Sequence, residues 1–300
     1  MKDSNQRKQL SQHCKYTYLV LLIFAMLPLG IKAQSQTLKV LSYNILQGMR
    51  LDTTAGKSEF TNWLKSVDPD ILALMEVQKF TQKSLEEMAM KYGHPYAVLL
   101  KEDGYPVALT SKYPIVNVSR ITDNMDRGMI LAQVNGLHII VTHLSPFKYQ
   151  TRQKEANLII STVKSQNIND KWILMGDFNA VSPLDSSQYA DGSLQQHTTK
   201  QDQKYRSHAN LNHGKLDYSV IDSFLKAGFA DAYKSKNSAF ESSIPTVEFS
   251  NDGPNHRIDF IFLSKALNDK VTQAKIIKDA FTDTHSDHYP VLVTIQAPEQ

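Results

Sequence analysis

Met129-Ile130-Leu131-Ala132-Gln133-Val134-Asn135-Gly136-Leu137-His138-Ile139-Ile140-Val141-Thr142-His143 reads as two apolar strands joined by an Asn-Gly pair and ending on a histidine. Asn-Gly suits the left-handed backbone of a two-residue hairpin turn, and the flanking β-branched residues suit a buried sheet. Beyond it, residues 149–164 carry apolar side chains at three- and four-residue intervals, the period of a helix. Leu158, Ile159 and Val163 are expected to face a sheet there, and Lys154, Glu155 and Lys164 to face water. Trp172-Ile173-Leu174-Met175 then reads as another buried strand, opening onto Gly176-Asp177-Phe178-Asn179.

Working outward, further strands are expected over residues 38–44, 71–76, 96–100, 107–110, 115–121, 257–263, 271–277 and 291–295, and helices over 57–67, 81–92 and 221–227. So many strands with helices between them exceed one twisted sheet. They predict an α/β fold, a four-layer α/β sandwich of two packed mixed β-sheets flanked by helices. Residues 191–215, polar and rich in Gln, His and Lys, read as one long loop.

The N-terminus has a different character. Lys2, Arg7, Lys8 and Lys15 precede an apolar run from Leu19 to Leu29, followed by Ile31-Lys32-Ala33. Basic region, short apolar core and small residue predict a cleavable signal peptide over residues 1–33 and a catalytic domain over 34–300. The run is short of the ~20 apolar residues a membrane span needs. An exported protein, periplasmic or extracellular, with no stable span after cleavage is the expectation. Cys14 is the only cysteine and lies in the leader, so metal binding in the mature chain would fall to carboxylate, amide and imidazole groups. Of 33 basic and 30 acidic residues, five and one lie in 1–33, leaving 28 against 29. That balance gives no overall electrostatic case for nucleic acid, though a local basic patch would escape it. No heptad pattern argues for assembly, and a monomer is expected.

Six polar segments stand out, expected at the C-terminal ends of apolar strands, where α/β sheets commonly bind ligands: Ser42-Tyr43-Asn44, Leu74-Met75-Glu76-Val77, Val141-Thr142-His143-Leu144, Gly176-Asp177-Phe178-Asn179, Arg257-Ile258-Asp259-Phe260 and Ser286-Asp287-His288-Tyr289-Pro290. Each alone has an ordinary explanation as a turn, a cap or a hydrogen-bonded core residue. Together they supply the oxygen ligands that hard divalent ions prefer, with imidazoles for proton chemistry.

With all six in view, residues 40–294 resemble the endonuclease/exonuclease/phosphatase superfamily, which holds pancreatic-type deoxyribonucleases, abasic-site endonucleases, neutral sphingomyelinases and inositol polyphosphate phosphatases. The resemblance implies a metal-dependent phosphoester hydrolase that works by in-line attack of water. It implies Glu76 as principal ligand of Mg²⁺, or Mn²⁺, with Asn44 and Asp287 assisting. Asp177 would orient or deprotonate the water, and Asn179 would donate to a phosphate oxygen. His288 would contact the phosphate with Asp259 steering its ring, and His143 would stabilise phosphoryl oxygens or protonate the leaving group. Arg127 matches a position where the family often carries an arginine, and reads equally as a surface residue beside a turn.

A small or lipid-derived phosphoester is the favoured substrate. A nuclease is the alternative, which would call for a basic and aromatic track along the rim. Only one basic stretch is evident, from Lys200 through Lys204, Tyr205, Arg206, His208 and His213 to Lys215. The segment Pro254–Phe260 lacks the Trp and Cys of the inositol phosphatases. A catalytically dead binding protein is disfavoured because none of the six segments has lost its polar residue.

Overall fold

The computed structural model describes residues 37–166 and 171–297, so the expected signal peptide at 1–33 lies outside the described residues. Two six-stranded sheets are built from strands whose side chains alternate between two cores. The first sheet contains β1 (Thr37–Asn44), β2 (Ile71–Met75), β3 (Tyr96–Leu99), β4 (Ala108–Ser111), β13 (Val271–Ile276) and β14 (Val291–Gln296), in the order β13-β14-β1-β2-β4-β3. The second contains β5 (Ile115–Ile121), β6 (Met129–Val134), β7 (Leu137–His143), β8 (Trp172–Asp177), β11 (Phe229–Asp231) and β12 (Asp259–Ser264), in the order β11-β12-β8-β7-β6-β5. Each sheet holds one parallel pair, β1 with β2 and β7 with β8, among antiparallel ones, so both are mixed as expected.

The alternation assigns the layers. Leu137, Ile139 and Val141 of β7, Ile173 and Met175 of β8, Leu38 and Val40 of β1 and Ile71 and Ala73 of β2 meet in one core between the sheets. Their neighbours in sequence point the other way, because successive strand residues face opposite sides. Leu41, Tyr43, Leu72 and Leu74 pack outward against helices α1 (Ser58–Val67) and α2 (Gln82–Lys91). Ile140, Trp172 and Leu174 pack outward against α3 (Tyr149–Ser165) and α5 (Ser219–Lys226). The four-layer α/β sandwich follows directly. The hairpin is as read: Val134 pairs with Leu137, and Asn135 and Gly136 both take positive φ, 50° and 73°.

Two expectations are corrected. Residues 191–215 are not one loop: they form α4 (Ser193–Lys204) and a two-stranded hairpin of β9 (Leu211–Asn212) and β10 (Lys215–Leu216). Only Leu194 of α4 is buried, so the helix has no apolar stripe to announce it. It is held by its ends, where Asp191 accepts from Ser193 N and Asp202 accepts from Asn210 N and Leu211 N. The second concerns α3, where Glu155 is fully buried rather than solvated. Its Oε1 accepts from Asp126 N at 2.7 Å and its Oε2 from Ser145 N at 2.9 Å. One turn earlier, Arg152 Nη1 donates to Ser145 O and to Asn210 Oδ1. The first turns of α3 thus clip together three loops around His143. Glu155→Ala strands two buried N–H groups and is expected to cost ~2–5 kcal/mol of stability, read by denaturant unfolding; a loss under about 1 kcal/mol would mean that water replaces the carboxylate.

His94 offers a second stability test away from the site. It is buried between Pro69 O and Thr110 Oγ1, both 2.8 Å from its ring nitrogens, and burial pulls its pKa down to about 4 from 6.5. A histidine depressed in this way favours the fold while neutral. Its contribution is complete above about 6.5 and is lost as pH falls to about 4. The full contribution is ~3 kcal/mol. His94→Gln should flatten the decline of stability between pH 6.5 and 4 relative to wild type, as followed by unfolding at a series of pH values; parallel profiles would remove His94 from the account.

Candidate active site

The strand ends named in the sequence converge on one edge of the two sheets, although not all in the expected sense. β1, β7 and β8 end there, on Asn44, His143 and Asp177, and β2 stops one residue before Glu76. Asp259 instead opens β12, and Asp287 and His288 precede β14. Both of these strands run antiparallel to their neighbours, so their beginnings reach the edge where the parallel strands finish. Register does the rest: His143 and Asp259 are the strand partners of Asp177 on either side.

Asp177 is the hub, almost fully buried at 2% exposure. Its Oδ2 accepts from Asn44 Nδ2 at 3.1 Å and faces His143 Nε2 at 3.4 Å and His288 Nε2 at 3.8 Å. Its Oδ1 accepts from Asn179 N at 2.9 Å, which holds Asn179 in a left-handed turn (φ 48°). Asn179 spends one amide hydrogen on Leu144 O and keeps a second donor. Gly176 explains the Gly-Asp order: its φ is 152°, and a Cβ there would meet Thr142 O at 1.8 Å, so only glycine lets β8 lie this close to β7.

His288 Nδ1 lies 2.8 Å from Asp259 Oδ2, and Asn44 Nδ2 is 3.5 Å from His288 Nε2. Arg257 does not compete for Asp259: its guanidinium is buried against Asp185 and Asp231. Ser243 Oγ accepts from Ile258 N and Asp259 N, and Ser286 Oγ donates to Asn44 O while accepting from His288 N. Ser243 was invisible to sequence reasoning, since a loop serine 16 residues from its partner leaves no local pattern.

Burial and charge divide the titratable groups. Burial alone would lower His288, but Asp259, Asp287 and Asp177 overcome it and hold the imidazolium well above its ordinary range. His143 goes the other way, pulled to about 4 by burial and then by Arg127 and His288, and is neutral at pH 7. Burial raises Asp177, against the pull of His143 and His288. Burial likewise raises Glu76, helped by Asp287 and Asp177 and opposed by His288. Glu76 sits at φ 60°, its Oε2 accepting from Gln47 N.

Asp177, Asp259 and His288 offer ligand atoms within 4.8 Å of one another. A protonated His288 already bridges that trio. The charges of Asp287 and Asp177 press on the Glu76 carboxylate in a way that a divalent cation would relieve, and hard oxygen donors suit such an ion.

Arg127 is buried to 8% exposure and lies 3.8 Å over the Tyr105 ring and 5.9 Å from Phe147. Phe147 meets His208, and His208 meets Tyr205, with Lys204 over that ring. The basic stretch 200–215 therefore joins Arg127 in a row of rings and cations, rather than standing alone.

The sequence matches the endonuclease/exonuclease/phosphatase family over residues 41–288. Sphingomyelinase C of Bacillus cereus is 23% identical over 325 residues, covering 87% of this chain and 90% of that protein. An AP endonuclease from Archaeoglobus fulgidus shares the fold with a TM-score of 0.62 at 18% identity, over 86% of this chain and 99% of that one. The 3′ phosphatase NExo from Neisseria, solved with a product DNA hairpin, shares it at TM-score 0.62 and 20% identity, over 85% and 98%. The chain belongs to the endonuclease/exonuclease/phosphatase family and is a metal-dependent hydrolase of phosphoester bonds.

Proposed function

We propose that the chain is an exported phosphodiesterase that cleaves small or lipid-derived phosphodiesters by in-line attack of water, with Mg²⁺ as its metal and Mn²⁺ as a substitute. The observation that carries the chemistry is the buried Asp177 carboxylate in contact range of Asn44, His143 and His288. A carboxylate raised toward neutrality is suited to take a proton from water. His288, its proton held by Asp259, presents Nε2 as a cationic donor to a phosphoryl oxygen. Asn179 offers its free amide hydrogen to another oxygen, and the neutral His143 can donate without adding charge. Glu76, Asn44 and Asp287 are the residues assigned to hold the ion, which when bound supplies positive charge to the phosphoryl group.

The likeness to a sphingomyelinase along most of both chains supports a diester with a lipid-derived part. Export rests on the leader-like residues 1–33. Among the described residues no helix is long and apolar enough to cross a membrane. A nuclease is the second reading, favoured by the row Tyr105, Arg127, Phe147, His208 and Tyr205, since rings interleaved with cations suit a nucleic-acid strand, whose bases can stack on them.

The test is hydrolysis of bis(p-nitrophenyl) phosphate by the mature chain with Mg²⁺, Mn²⁺ or EDTA, followed by sphingomyelin vesicles, single-stranded DNA and plasmid. Metal-dependent turnover with preference for the lipid upholds the first reading, and preference for DNA replaces it with the second.

A further inference from the structure

A cavity of about 390 Å³ is lined by Arg50, Lys57, Lys79 and Lys91, with Glu87 as the only acidic side chain in its lining. In a chain with 33 basic and 30 acidic residues, four cations around one cavity are a local concentration. None of the four takes part in an ion pair among the described residues. Lys57 Nζ donates to Asp52 O at 2.7 Å and Lys91 Nζ to Gly56 O at 3.0 Å. Backbone carbonyls orient both ammonium groups, and the Lys57 charge also acts on the buried Asp52 carboxylate, while Lys91 meets no carboxylate in an ion pair among the described residues. Arg50 and Lys79 are exposed.

The wall is built under backbone strain. Leu46, Gln47, Gly48 and Met49 form one left-handed turn, with φ of 43°, 52°, 72° and 55°, and Lys57 and Lys79 are left-handed as well, at 55° and 66°. Non-glycine residues on this backbone are strained, and runs of them persist only where surrounding contacts enforce them, commonly at ligand sites. Here Gly48 N donates to Glu76 O at 2.6 Å and Gln47 N to Glu76 Oε2 at 3.1 Å. A Cβ on Gly48 would meet Gln78 O at 2.3 Å, so the turn depends on glycine. The same strained turn supports the carboxylate assigned to the metal and forms the cavity wall. Gln78 lines the cavity as well, and its buried Oε1 has no hydrogen-bond partner among the described residues.

We propose that this cavity is an anion site that takes a phosphate group other than the one being cleaved. It rests on the reading of the chain as a phosphoester hydrolase, whose substrate would then carry a second phosphate or whose activity would answer to free phosphate. Clustered cations, two of them held by backbone carbonyls, suit a phosphate.

Two measurements test it, each on the full chain as wild type and as the double variant Arg50→Glu, Lys79→Glu, with circular dichroism to check the fold. Both positions are exposed and unpaired, so packing survives the exchange. The first is binding of inorganic phosphate in EDTA, followed by ³¹P NMR, where the variant is expected to lose about tenfold in affinity. The second is the ratio of KM values for the p-nitrophenyl ester of thymidine 5′-phosphate with and without a 3′-phosphate. Wild type should favour the doubly phosphorylated ester about tenfold, and the variant should bring that ratio near one. Loss of phosphate binding alone assigns the site to free phosphate, and loss of the ratio assigns it to the substrate. Wild type and variant alike in both measurements would overturn the site. If wild type turns over neither ester, the diester reading fails, and the phosphate-binding arm still decides the cavity.

Discussion

Replacing Asp177 by Asn is expected to lower kcat on bis(p-nitrophenyl) phosphate by roughly three orders of magnitude, the scale of losing a positioned base together with a fixed charge. The substitution is isosteric, so Oδ1 can still accept from Asn179 N and the Gly176 turn is untouched. What disappears is the negative charge that His143 and His288 both face. Asp177 also helps hold the proton on His288, so its loss removes a base and weakens the adjacent cationic donor together. These effects share one site, and removing His288 from the variant should add less than its single-mutant loss. The measurement is kcat at saturating metal for D177N, H288A and the double variant, each checked by circular dichroism. Retention of more than about a tenth of wild-type kcat in D177N would falsify its assignment as the water-activating group.

Glu76→Gln is expected to separate function from stability. Activity should fall at least about a hundredfold, because a carboxylate ligand becomes a neutral amide. Binding of Mn²⁺, followed by its electron paramagnetic resonance signal, should weaken in parallel. Stability in EDTA should hold or rise. Glu76 is largely buried on a left-handed backbone, with its charge opposed by burial and by Asp287 and Asp177, so an amide relieves a repulsion that exists only for the metal. Glutamine can also still accept from Gln47 N. Wild-type Mn²⁺ affinity in this variant would show that the ion is held elsewhere, with the Asp177, Asp259 and His288 cluster the next candidate. A marked loss of stability in EDTA would show that Glu76 is a structural brace for the turn at Leu46–Met49.

The two results bear on each other through Asn44. Its Nδ2 donates to Asp177 Oδ2 while its Oδ1 accepts from Leu46 N, the first residue of the left-handed turn that carries Gln47 toward Glu76. The side chain thus links Asp177 to the turn that holds the Glu76 carboxylate. That is more than a turn-satisfying asparagine would need.

Much of this protein was legible in residue order. Alternation of apolar side chains marked the strands, and alternation has a physical cause that survives into the fold: Val141 and Met175 face the inter-sheet core while Ile140 and Leu174 face α3 and α5. Asn135-Gly136 specified its turn because few other pairs tolerate two positive φ values. The polar residues beside those strands, Asn44, His143, Asp177, Asp259 and His288, stood out because a buried sheet gives such groups little reason to be there. Strand order and register decided what they do to one another. Asp177 meets His143 and Asp259 because β8 lies between β7 and β12, and no local pattern encodes that neighbourhood. Burial then set the charges, making one imidazole cationic and the other neutral although the sequence shows two equivalent histidines. Glu155 on α3, Ser243 under Asp259, the polar helix α4 and the cavity of Arg50 and Lys79 likewise depend on contacts between distant segments. Periodicity in a chain reports which face of an element is buried, whereas the partner on that face, and the field it exerts, exist only once the layers have packed.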